Sequence, residues 1–200
     1  MFEIIYELLG VDAYCMALAD CPDGIDALYD ALLAKRLEAL AVVADSPAKY
    51  AVVEGNVSFE LVGPDRFAKY YRPAIEEACD LLAGRGIITG AHLDGNNRAL
   101  APLIAATSLD VIEAHTPPPD CDLGVAEARA AWPGKAIHLN FPSSVHLQGR
   151  EAVIGRMEEI LAAAAPGNAF VVGLTEDTPT NEHLLPLARF VRDHGATPLD

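Results

Sequence analysis

The stretch Gly86–His115, GIITGAHLDGNNRALAPLIAATSLDVIEAH, decides the fold. Gly86–His92 is a short apolar run that ends in polar residues, which reads as a strand. Arg98–Thr107 follows as a short helix, and Asp110–His115 (DVIEAH) as the next strand. Two strands joined by a helix run parallel through a right-handed crossover.

The same unit recurs on both sides. Upstream, Tyr50–Asn56 (YAVVEGN) reads as a strand and Phe67–Ala83 as a helix. Phe67, Tyr70, Tyr71, Ala74, Ile75, Ala78, Leu81 and Leu82 form its apolar stripe at helical spacing, with Gly84 and Gly86 as its stop. Downstream, a helix near Gly124–Trp132 leads to the strand Lys135–Phe141 (KAIHLNF). A helix over Arg150–Ala165, the strand Asn168–Thr175 (NAFVVGLT) and a helix over Asn181–His194 complete the series, the last ending at Gly195. In that helix Leu184, Leu187, Ala188 and Val191 are expected to point inward. Met1–Asp45 reads as helical, with a turn at Cys21–Gly24.

The expectation is one α/β domain over residues 1–200: a helical part over 1–45 and βα repeats over 46–200. Parallel strands are covered on both faces, which suits runs such as Ala169–Val172. No G-x-G-x-x-G turn follows a strand, so a dinucleotide-binding fold is not supported. The reading is a (β/α)8 TIM-barrel-like fold with about five βα units present, an incomplete or self-completing barrel. Five parallel strands leave two edges to be covered, by the N-terminal helices, by a longer chain or by a second copy in a homodimer.

Composition narrows the function classes. The net charge is −15, which repels a phosphate backbone and argues against nucleic acid. No apolar run is long enough to cross a bilayer, and the N-terminus lacks a signal-peptide pattern. The cysteines Cys15, Cys21, Cys79 and Cys121 form no C-x-x-C pair and no disulfide framework, and Cys79 lies on a helix stripe as a core residue. Cytoplasmic localisation is the expectation.

In a barrel the chemistry sits at the C-terminal ends of the strands. Those ends carry Glu54 and Asn56, then His92 and Asp94, then Glu113 and His115, then Asn140, then Glu176. Two histidines and an aspartate, His92, Asp94 and His115, suit one face of a metal with open positions, or a proton-transfer pair without metal. Glu54, Asn56, Asn140 and Glu176 are the candidates for orienting substrate and moving protons. His138 reads as core, and His146, His183 and His194 as surface positions.

From Glu54 to Pro179 the chain resembles the uroporphyrinogen decarboxylase superfamily. The residues that carry the resemblance are E-G-N at Glu54–Asn56, P-D-R-F-A-K-Y-Y-R-P at Pro64–Pro73 and G-A-H-L-D-G at Gly90–Gly95. S-L-D-V-I-E at Ser108–Glu113 and G-L-T-E-D-T-P at Gly173–Pro179 continue it, and Y-E-L-L-G-V-D-A at Tyr6–Ala13 and D-C-P-D at Asp20–Asp23 extend it to the opening helices. The resemblance implies a TIM barrel and an enzyme. The superfamily holds heme-pathway decarboxylases and zinc-dependent methyltransferases that use a corrinoid protein or a thiol as acceptor.

The family's H-x-C zinc motif falls on His92-x-Asp94, a further ligand on His115, and the distant cysteine on Val172. One thiolate position is therefore a carboxylate and another is apolar, which points to zinc or another divalent metal on nitrogen and oxygen donors rather than to a thiolate site. The first functional expectation is a metal-dependent methyltransferase-like enzyme with a small-molecule substrate and a corrinoid protein as partner. The alternatives are a decarboxylase or lyase, with His92 and Asp94 handling protons, and a non-catalytic subunit.

Overall fold

A computed structural model describes residues 2–57, 59–174, 180–196 and 198. Five strands form one parallel sheet in chain order: β1 (Tyr50–Glu54), β2 (Ile88–His92), β3 (Val111–His115), β4 (Ala136–Asn140) and β5 (Phe170–Gly173). Three helices precede the sheet: α1 (Phe2–Leu9), α2 (Val11–Asp20) and α3 (Pro22–Ala44). Between and after the strands lie α4 (Phe59–Arg66), α5 (Arg72–Ala83), α6 (Ala101–Ala105), α7 (Val125–Ala131), α8 (Arg150–Ala164) and α9 (Asn181–His194). The alternation read from the sequence is present, as a five-strand βα-repeat sheet.

Two boundaries differ for local reasons. The break expected at Cys21–Gly24 is confined to Cys21, because Pro22 opens α3 at a position where its missing N–H costs nothing. The helix expected from Phe67 begins further back. A positive φ of 63° at Gly63 and the following Pro64 kink α4, and a π-helical turn over Phe67–Tyr71 joins it to α5. That turn buries Phe67, Tyr70 and Tyr71 together. Leu81, expected on the stripe, stays exposed, while Ala74, Ile75, Ala78, Cys79 and Leu82 are buried.

The sheet has two unlike faces. Val53, Ala91, Ile112, Ile137 and Leu139 are buried on the face that packs into the core with Trp132, Leu93, Leu100 and Ile160. The other face is open: Tyr50 is 42% exposed, Val52 49%, Ile88 50% and Val171 60%. Strands apolar on both faces therefore have only one face covered among the described residues.

The N-terminal helices dock on the sheet's first edge through α5. Tyr29 Oη donates to the Tyr70 carbonyl at 2.6 Å, and Lys69 Nζ reaches Asp26 at 2.8 Å. Arg36 of α3 donates to the carbonyls of Ala74 and Val53, so one guanidinium joins α5 to β1. At the far side α9 packs along α8 and buries Leu187; Ala188, expected inward, is exposed.

Candidate active site at the strand ends

Side-chain parity sets which residues share the open face. On β2 and β4 the alternation is regular, so Ile88, Gly90 and His92 line up, as do Ala136 and His138. On β1 and β3 it breaks near the C-terminal end. Val52 pairs with Gly90 but Glu54 with Ala91; Ile112 pairs with Ile137 but His115 with Leu139. Each break inserts one residue, and one residue turns every later side chain to the opposite face. On β3 the extra residue is accommodated at Ala114, with φ at 57°.

The two bulges redistribute the expected site. His115 goes to the covered side, 1% exposed, with its ring edge-on to Trp132 at 5.4 Å. Burial holds its pKa down, at about 4, so the imidazole is neutral. Glu54 also turns inward, 6% exposed, and stands 3.7 Å from Arg36. It meets the N-terminal helices there. Asn56 is exposed with φ at 44°, and its carbonyl accepts from Tyr6 Oη. Asn140 is buried at the end of β4 and donates to Thr116 Oγ1 at 3.4 Å. Glu176 lies outside the described residues.

A different set converges on the open face. His92 Nδ1 is 2.5 Å from Glu113 Oε2, and His92 Nε2 is 3.3 Å from Asp94 Oδ2. Glu113 Oε1 is 3.6 Å from His138 Nδ1. One carboxylate thus stands between two histidines from neighbouring strands. The Asp94 contact, with that of Glu113, holds the His92 pKa up at about 9 against partial burial. Asp94 is correspondingly held below the usual carboxylate range by His92. At neutral pH the centre is an imidazolium between two carboxylates.

Small residues leave room for this arrangement. A Cβ at Gly173 would stand 2.5 Å from His138 Nε2, and one at Gly90 would stand 2.5 Å from Tyr50 Oη. The two rings therefore lie across β5 and β2 where only glycine admits them. Burial raises the Tyr50 pKa, and the Glu113 charge adds to the rise. A groove of about 560 Å³ runs beside the cluster, lined by Tyr50, Val111, Ala136, His138, Phe170 and Val171.

His138, read as core, is a third exposed at this site, and its spacing two residues before Asn140 was the one signal for it. The closeness of Tyr50 to Glu113 had no signal in the sequence. The three residues expected to hold a metal do not meet: His92 and Asp94 are adjacent, and His115 is on the other side of the sheet. Among the described residues no group of three or more His, Cys, Asp or Glu side chains is arranged to hold a metal ion. The resemblance-derived ligand set does not fit this geometry. No protein-family model matches the chain, and no curated protein matches it.

Proposed function

We propose that this chain carries the active face of a uroporphyrinogen-decarboxylase-like enzyme that works by proton transfer, a lyase or decarboxylase acting on a small acid. The observation that carries the reading is His92 held between Glu113 and Asp94 at the C-terminal end of β2. A histidine charged at neutral pH and part exposed is placed to act as a general acid. It is also the positive centre on an otherwise carboxylate-rich rim, and so the group that a substrate carboxylate meets. In a decarboxylation the bond to the carboxylate breaks, carbon dioxide leaves and the electron pair stays on carbon. The proton of His92 then goes to that carbon and solvent reloads the imidazole. Glu113 fixes the ring through Nδ1, and Asp94 holds the proton on Nε2.

A second reading is metal-dependent methyl transfer to a corrinoid or thiol acceptor. One observation favours it: the 3.3 Å between His92 Nε2 and Asp94 Oδ2 lets both donors reach one divalent ion, with Glu113 bound behind Nδ1 as outer-shell carboxylates are. A homodimer that covers the open face belongs to either reading.

Metal content of protein purified without a chelating tag separates the two, with His92→Ala and Asp94→Ala alongside. The lyase reading expects no metal in stoichiometric amount, and carbon dioxide release from a panel of small carboxylic acids that is lost in His92→Gln. About one zinc per chain, lost in both alanine variants, would overturn it in favour of methyl transfer.

A further inference from the structure

Two histidines outside this site, expected at the surface, meet in the interior. His146 lies in the 3-10 turn Ser143–Gln148 that follows β4, and it is 4% exposed. His183 lies in the first turn of α9, the helix that follows β5. Their rings stack at 5.7 Å and 17°, and Phe141 covers the other side of His146 at 5.1 Å. The Nδ1 atoms of both are shut away from solvent without a hydrogen-bond partner among the described residues. Neutral imidazoles stack without difficulty. An added proton would place a charge in this contact, where no carboxylate among the described residues pairs with either ring.

The neighbouring charges do not relieve that. Asp120 of the β3–α7 loop is held by Ser143 and Ser144. From α8, Arg156 is bound to Glu159 and to the Pro118 carbonyl, and Arg150 and Glu151 are exposed. From α9, Glu182 and Arg189 are exposed, and the 3-10 turn carries no ionisable side chain but His146. None of these makes a hydrogen bond or ion pair to either ring. Leu187 is the buried residue of α9, and Phe190 and Val191 pack partly buried against the core.

We propose that the His146–His183 stack is an acid-released latch that seats α9 against the loop after β4, at the strand-end rim where the candidate site opens. With both rings neutral, the stack joins the two segments. With the His146 ring charged, the contact loses its packing and α9 lifts.

Backbone amide exchange of α9, read against α8 as an internal standard, tests the latch. Lowering the pH from about 7.5 to about 5 should cost α9 protection on the order of tenfold beyond any change in α8. His146→Phe keeps a stacked ring that cannot charge, so α9 should then hold its protection at both pH values. If that variant does not fold, His183→Gln serves, and α9 should exchange at the acid rate already at about pH 7.5. Equal α9 protection in the wild type at the two pH values overturns the latch. So does an unchanged acid loss in His146→Phe, or wild-type protection in His183→Gln.

Discussion

A histidine takes its character from the face its strand offers it. His92 and His115 both end strands of one sheet, yet His92 is held up at about 9 and His115 down at about 4. Carboxylates decide the first and burial the second. For His92 the folded value lies above the unfolded one, so its contribution to stability is present below 6.5 and lost as pH rises through about 9. Asp94→Asn should bring the His92 titration midpoint down towards 6.5, read by side-chain NMR; a midpoint that stays near 9 would refute the pairing. For His115 the sign reverses. The unfolded chain takes its proton near 6.5 and the folded chain not until about 4, so stability falls as pH drops through that window, by roughly 3 kcal/mol at the acid end. Urea midpoints should therefore vary less with pH between those values in His115→Gln than in the wild type. Equal slopes would mean that the buried ring is not the acid-sensitive group. Strand-end position pointed to His92 and Asp94 correctly as neighbours. It failed for His115 and Glu54 because single-residue bulges turn both inward, and neither bulge is marked by a glycine in the bulged strand.

Among the elements, α5 shows how far hydrophobic spacing carries. The stripe predicted its buried face apart from Leu81, and the structure puts Ile75 at 0% exposure and Leu81 at 37%. Ile75→Ala should cost about 2–5 kcal/mol, because the hole cannot close around it, while Leu81→Ala should fall within about 1 kcal/mol of the wild type. Chemical denaturation measures both, and similar losses would mean that α5 is rotated from its described position. The spacing did not show the π-helical turn over Phe67–Tyr71, since it preserves an apolar stripe while adding a residue to the turn. Strands were the easiest elements to read, because a buried parallel strand needs an apolar run and its polar end marks where the loop begins. What parity along a strand could not supply was the cross-strand contact of Glu113 with His138, which needs the register of two strands at once.

At the scale of the whole molecule, the two sheet faces set the main demand. A chain with a net charge of −15 resists close approach of its copies, but the open face carries apolar Val52, Ile88, Val111 and Val171. Among the described residues β1 and β5 each pair with one strand only, and Arg36 of α3 takes the Val53 carbonyl of β1. An exposed apolar sheet face is what associating surfaces share, and the repulsion should weaken as salt screens it. The proposed homodimer therefore predicts a mass in solution that rises with concentration and rises further with salt. Val52→Lys combined with Val171→Lys puts two cations on the apolar face, on opposite edge strands. Analytical ultracentrifugation should show this variant monomeric at concentrations where the wild type associates. If instead the wild type is monomeric at every concentration and salt, the open face is not a contact between copies, and the site at its rim works without a second chain. If the variant associates as the wild type does, the contact lies on the helical side, and the open face is free to take substrate.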